Sequence, residues 1–276
     1  MSDGARESTS AAAGQPGPTA TWRYVIPNLL TCVSISLGLL SISQSAAGDF
    51  HGAAWSVLLC VLLDKADGTA ARLLGASSSF GLQLDSLSDL ITFGIAPSTL
   101  VLCAFLGPTP IASAGAIPYY RGIVYLGAFL FSICAALRLA KFNVVQEGYV
   151  DGYFFGVPTT ICGALVCTYF LSTEKWGVPL FGSSDRLYLA LPLLMIMLAL
   201  LMVSRLPLAK IAKRRSLILN ILQLVNVVLV YLFGILRIYP DYLFVVAALY
   251  LLIGLPVAWL SGIRPPRLEQ QARSER

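Results

Sequence analysis

Residues 64–89 read DKADGTAARLLGASSSFGLQLDSLSD, four aspartates set between apolar runs at 52–63 and 90–105 that carry no charge at all. A charged side chain within an apolar span costs at least a few kcal/mol unless it is paired or solvated, so these four need a reason to be there. At 100° per residue, Asp64, Asp67, Gly68 and Ala71 fall within an arc of about 100° on one helix, with Arg72 just past its edge. On the next helix Gly81, Asp85 and Asp89 are spaced four apart and cover about 80°. Each helix therefore gathers its carboxylates on a single face, among small residues.

The surrounding chain sets the solvent for that face. Hydrophobic residues make up 57% of the 276, charged residues 12%, and the mean hydropathy is +0.77. These values exclude an ordinary water-soluble domain. An α-helix needs roughly 20 mostly apolar residues to cross about 30 Å of hydrocarbon. Runs of that kind are predicted at about 29–45, 52–73, 80–105, 121–142, 157–173, 187–204, 217–236 and 241–261. The expected fold is an all-α, polytopic membrane bundle of about eight transmembrane helices, occupying 21–261. Residues 1–20, rich in Ala, Gly, Ser, Thr and Pro, read as a disordered tail, and 262–276 as a second tail. Trp22, Arg23 and Tyr24, ahead of Pro27 and Asn28, suit an interfacial lead-in to the first span.

With eight spans both termini share a side, and the basic residues can be scored by loop. Arg121, Lys175, Arg186 and Arg237 fall opposite the termini; the other fifteen of the nineteen Lys and Arg fall on the termini's side. This asymmetry predicts cytoplasmic termini in a bacterial-type inner membrane, and it accounts for the net charge of +5 without nucleic acid. The cluster Lys210, Lys213, Arg214 and Arg215 fits an orientation signal and a contact for anionic lipid head groups. Six cysteines in apolar stretches lack metal-ligand or disulfide spacing and read as buried small residues; the single histidine, His51, is placed in a Gly-rich turn. One histidine excludes a multi-histidine metal site.

Carboxylates about 5.5 Å apart repel by roughly 3 kcal/mol per pair at an effective dielectric of 20. Arg72 alone does not offset four of them. Either some are protonated or divalent cations hold them ionised, and an all-oxygen ligand set favours magnesium or manganese over zinc. Carboxylates that pair with Lys65 and Arg72 at helix ends, or a cation transporter with acids near broken helices, are the alternatives. A transporter does not require Gly68, Arg72 and Gly81 at these intervals.

The pattern Asp64, Asp67, Gly68, Ala71, Arg72, Gly81, Asp85, Asp89 resembles the signature of the CDP-alcohol phosphotransferase family at every fixed position. The resemblance implies a core of six transmembrane helices, commonly homodimeric, with a site opening to the cytoplasmic leaflet. It implies that Asp64, Asp67, Asp85 and Asp89 bind metal, two Mg2+ or Mn2+ ions, and that Asp89 also acts as general base. Gly68 and Gly81 would let the nucleotide approach the backbone, Arg72 would contact phosphate or nucleotide, and Ala71 belongs to the same surface. The stretch PNLLT at 27–31 resembles the family's segment before the first span, which adds Asn28 and Thr31 to the CDP-lipid site.

Further stretches resemble one group of that family, the integral-membrane phosphatidylserine synthases of bacteria: FGLQLDSLSDLITFGIAPS (80–98), AALRLAKFN (135–143), FFGVPTT (154–160) and LMVSRLP (201–207) with Lys210 following. The implied substrates are CDP-diacylglycerol and L-serine. Arg138, Lys141 and Asn143 become candidates for the serine carboxylate or a lipid phosphate. Lys141 stands where the group usually has Arg, and GVPTT replaces a more usual GLPxP. Glycerol 3-phosphate, inositol phosphate or choline as acceptor would keep the same aspartates.

Overall fold

The computed structural model of the chain describes residues 21–75, 78–107, 120–144, 153–176, 184–209 and 217–260. They form eight helices: α1 (Thr21–Ala47), α2 (Phe50–Leu73), α3 (Ser79–Leu106), α4 (Tyr120–Val144), α5 (Thr159–Trp176), α6 (Ser184–Val203), α7 (Leu217–Leu236) and α8 (Pro240–Leu260). Four of them, α1 from Arg23, α3, α4 and α8, are long and apolar enough to cross a membrane. Exposed leucines, isoleucines and valines run along α1, α4, α6, α7 and α8, the surface a bundle presents to lipid. The two tails predicted at 1–20 and 262–276, and the basic cluster Lys210 to Arg215, lie outside the described residues.

The core sits where α3 crosses the others. α1 lies along α2, α4 along α6 and α5 along α8, while the middle of α3 touches α1, α4 and α5. Trp55, Phe93, Leu100, Phe131, Met195 and Leu198 are fully buried there. α7 packs more lightly, against α2 and α8, with Gly234 against the Leu62 side chain.

Side-chain caps define the starts of the two carboxylate-bearing helices. Asp49 caps α2, its Oδ1 accepting from Gly52 N–H at 2.9 Å; Ser78 caps α3, its Oγ accepting from Gly81 N–H at 3.0 Å. Between the helices Gly75 takes a left-handed conformation, φ +58°, which a side chain disfavours.

Four features depart from the reading of the sequence. α1 begins before Pro27 and runs through it; the lost bond is to the Arg23 carbonyl in the second helical turn, near the helix end, where the damage is small. His51 lies in the first turn of α2, its Nε2 accepting from Trp55 Nε1–H at 3.2 Å. Cys32 is exposed and Cys103 half-buried, whereas the other four cysteines are buried as expected. The bundle also carries a two-stranded antiparallel sheet, β1 (Tyr153–Phe155) on β2 (Pro207–Ala209), in the register Phe154 opposite Leu208. Three-residue strands are too short for an alternating pattern to announce them.

α3 is not a uniform helix. Directly after Asp89 it widens into a π-helical turn, Leu90–Ile95. Pro97 lacks the N–H that would bond the Phe93 carbonyl, and its ring crowds that oxygen. Ala96 N–H bonds instead to Ile91 O, five residues back, and the Gly94 carbonyl accepts from Ser98 Oγ at 2.9 Å and Ser132 Oγ at 3.3 Å. The widened turn is covered by α5 at Gly163, where a Cβ would lie 3.0 Å from both Phe93 Cα and Cβ and 3.1 Å from its carbonyl oxygen. Gly163→Ala should therefore destabilise the protein by about 1–3 kcal/mol, read as a lower thermal unfolding midpoint in detergent. Gly122→Ala, where a Cβ meets nothing within 4 Å, should hold or raise the midpoint. Equal midpoints for the two variants would contradict this packing.

Candidate metal and nucleotide site

Asp64 and Asp67 project from the C-terminal half of α2, and Asp85 from the first half of α3. One carboxylate oxygen from each lies within 4.8 Å of the others. Asp67 is buried, while Asp64, Asp85 and Asp89 are half-buried. Asp89, one turn further along α3, is within electrostatic range of Asp64 and Asp85. The helical phase read from the sequence thus holds up to Asp89, and the π turn begins only after it.

Asp64 and Asp67 each have a defined polar neighbour. Lys65 Nζ pairs with Asp64 Oδ2 at 3.0 Å, the lysine 65% exposed and the aspartate 12%, so this cation approaches from solvent. Thr31 Oγ1 is 3.0 Å from the Pro27 carbonyl and 3.3 Å from Asp67 Oδ2. That places the PNLLT segment of α1 against the cluster. Gly68 N–H also meets Asp67 Oδ1. Asn28 stands over Gly81, where a Cβ would be 3.3 Å from its Oδ1 and 3.1 Å from Ser78 Oγ; Gly81 lets α3 start close against α1.

Gly68 differs: a Cβ there would meet nothing within 4 Å. A glycine inside a helix costs roughly 0.5–1 kcal/mol relative to alanine, and no packing contact explains it. Ala71 is half-buried on the same face and Arg72 is exposed. Arg72 Nη2 reaches Thr69 Oγ1 at 3.5 Å and forms no ion pair among the described residues. The helix face beside the acids is therefore open space edged by a guanidinium.

On the other side, α4 and α5 supply a second polar set. Arg138 Nη1 donates to Thr159 Oγ1 at 3.2 Å, and Thr159 Oγ1 donates to Asp89 Oδ2 at 3.5 Å. The hydroxyl thereby links the basic residue of α4 to the last aspartate of α3. Thr159 is buried at the first turn of α5, held there because Gly156 N–H and Val157 N–H bond to Leu206 O and Leu201 O. Gly156 has φ +81°, and any Cβ on it would collide with the Met202 carbonyl oxygen. Asn143 accepts from Ser86 Oγ at 3.0 Å and donates to Gln83 Oε1 at 3.1 Å, tying the end of α4 to α3 beside Asp85. Lys141 is exposed at the same end. Thr159, Gln83 and Ser86 escaped the sequence reading; the FFGVPTT stretch was the signal that held the first.

The donor set fits a hard divalent cation. Metal–oxygen bonds near 2.1 Å put opposite ligands about 4.2 Å apart, and the observed spread of 4.8 Å closes with small side-chain rotations. Three carboxylates meeting at this distance around one lysine leave excess negative charge that such an ion neutralises.

Comparison with known proteins bears on the same residues. The family model described as CDP-alcohol phosphatidyltransferase matches residues 24–204. A CDP-diacylglycerol–serine O-phosphatidyltransferase of Helicobacter pylori is 34% identical over 239 residues, covering 86% of this chain and 92% of that protein. The enzyme of the same name from Bacillus subtilis is 37% identical over 147 residues, 53% of this chain and 75% of that one. An archaetidylserine synthase of Methanothermobacter thermautotrophicus is 34% identical over 149 residues, covering 53% and 58% of the two chains.

Two substitutions separate site geometry from stability. Gly68→Ala should hold or raise the unfolding midpoint, since helix propensity improves by about 0.5–1 kcal/mol, while weakening CDP-lipid binding; unimpaired binding would contradict an open nucleotide face. Thr159→Val should lower turnover at least tenfold, about 1.4 kcal/mol, with Thr159→Ser restoring it. Full activity in the valine variant would show that the link between Arg138 and Asp89 is dispensable.

Proposed function

The chain belongs to the CDP-alcohol phosphatidyltransferase family, and on that footing we propose that it transfers the phosphatidyl group of CDP-diacylglycerol to L-serine, forming phosphatidylserine and CMP. The observation that carries this reading is the meeting of Asp64, Asp67 and Asp85 with Asp89 and Arg138 alongside, in a chain similar over 86% of its length to a relative named as a CDP-diacylglycerol–serine O-phosphatidyltransferase. Family membership retires the transporter alternative.

In this reading Asp64, Asp67, Asp85 and Asp89 would hold two Mg2+ or Mn2+ ions, which would supply positive charge to neutralise the diphosphate and the departing CMP. The CMP moiety lies along the open face of α2, with Gly68 and Ala71 beneath it, Arg72 at its phosphate, and Asn28, Thr31 and Gly81 closing the α1 side. Arg138 binds the serine carboxylate, for which a guanidinium is suited, with Lys141 adding charge at the mouth and Asn143 holding α4 to α3. Asp89 takes the proton from the serine hydroxyl. The serine oxygen attacks the lipid-side phosphorus in line, a new P–O bond forms, and the bond to the CMP oxygen breaks without a covalent enzyme intermediate. Thr159 serves by fixing the carboxylate of Asp89 relative to Arg138.

The distribution of Lys and Arg supports an inner-membrane, multi-pass protein with both termini and the site on the cytoplasmic side, and the family supports a homodimer. Residues 21–261 form the catalytic unit.

Purified protein with CDP-diacylglycerol should release CMP with serine, and not with glycerol 3-phosphate, inositol 1-phosphate or choline. A chelator should abolish that release, and Asp89→Asn should reduce it by about 10²–10⁴ while CDP-lipid binding persists. Activity with another acceptor alone would reassign the substrate, and near-normal turnover of Asp89→Asn would remove its role as base.

A further inference from the structure

The end of the bundle away from the carboxylates holds a cavity of about 460 Å³. Its walls include His51 and Trp55 of α2, Lys175 of α5, and Arg237 and Tyr239 from the turn between α7 and α8. His51 precedes Asp64 by thirteen residues, which at 1.5 Å per residue is about 20 Å along α2. No group of the reaction site reaches it.

Three of the side chains lining this cavity, His51, Lys175 and Arg237, carry N–H groups, and two of them are cationic. His51 Nε2 accepts from Trp55 Nε1–H at 3.2 Å, so a neutral ring carries its proton on Nδ1 and presents an N–H. Arg237 brings a full positive charge. Lys175 pairs with Asp241 at 3.1 Å and lies 5.3 Å from the Tyr239 ring centroid. Such a lining suits an anion.

The turn that brings Arg237 and Tyr239 to the cavity is strained. Both are in the left-handed region, φ 54° and 52°, a conformation that costs a residue with a side chain about 1–2 kcal/mol. It is fixed by a bond from Ile238 N–H to Phe233 O at 3.1 Å and by the Tyr239 ring 5.1 Å from that of Phe233. Strain held by its surroundings marks sites whose side-chain placement matters. Ile235 and Leu236, exposed beside the turn, put apolar surface next to the cationic mouth, which is the arrangement of an interfacial head-group contact.

We propose that this cavity is a binding site for the phosphodiester head group of an anionic phospholipid, with Arg237 as the main contact and His51 and Lys175 as flanking donors. The site is distinct from the CDP-lipid site and requires only that the bundle sits in a membrane.

Delipidated full-length protein in detergent would be given phosphatidylglycerol, phosphatidylcholine or inorganic phosphate, with retained lipid read by native mass spectrometry and stability by thermal unfolding. Phosphatidylglycerol should be retained and raise the midpoint, phosphatidylcholine should not, and Arg237→Gln should weaken the retention at least tenfold. CDP-diacylglycerol binding and serine-dependent CMP release should be unchanged in that variant, which also certifies its fold. His51→Ala, tested in parallel, should show a smaller loss and serves if Arg237→Gln does not fold. Equal retention of phosphatidylcholine, or undiminished phosphatidylglycerol retention in both variants, would overturn the proposal. An equal rise with inorganic phosphate alone would assign the site to a free anion instead of a lipid.

Discussion

Negative charge gathered inside an apolar bundle is the constraint around which this molecule is arranged. Asp64, Asp67 and Asp85 bring oxygens within 4.8 Å of one another, with Asp89 a turn away. At that distance each pair of charges repels by about 3 kcal/mol even at an effective dielectric of 20, and desolvation adds to it. Lys65 and Thr31 offset part of this. On the proposed reading two divalent ions would offset the rest, and their surplus charge would attract an anionic diphosphate. The acids are stable together for the reason that makes them useful.

The rest of the bundle serves to hold that group open on one side. On one side of the acids, α2 offers Gly68 with empty space above it and Arg72 at the edge. On the other side, the short sheet of β1 and β2 and the Gly156 turn fix the start of α5, so Thr159 meets Asp89 and Arg138 together. The π turn after Asp89 leaves the α3 segment bearing Asp85 and Asp89 in regular helical phase, while the segment beyond it repacks against α4 and α5. A tight crossing at Gly163 secures that arrangement. Chemistry and packing thus meet at adjacent turns of one helix.

Much of this was legible in the sequence because two strong periodicities govern it. Runs of about 20 apolar residues gave eight helices in the right places, and a repeat of 3.6 put each aspartate pair on one face. What escaped depended on contacts between distant segments. Pro27 falls where the sequence suggests a helix start, yet α1 runs past it to Thr21, because a proline this near the helix end removes only one bond. Pro97 signals a disturbance in α3, but its form as a π turn depends on Ser98, Ser132 and Gly163 supplying partners and room. Thr159 does not stand out in a line of sequence; only the fold sets its hydroxyl between the Asp89 carboxylate and a guanidinium. Asn143 was legible as polar and near the site, though not as the strut joining α4 to Gln83 and Ser86.

Anomalous diffraction from crystals of the protein grown with Mn2+ and CDP-diacylglycerol tests the central claim most directly. The account predicts manganese density within about 2–2.3 Å of carboxylate oxygens of Asp64, Asp67 and Asp85, in contact with the diphosphate. Manganese bound elsewhere, or a diphosphate seated away from these three side chains, would contradict it.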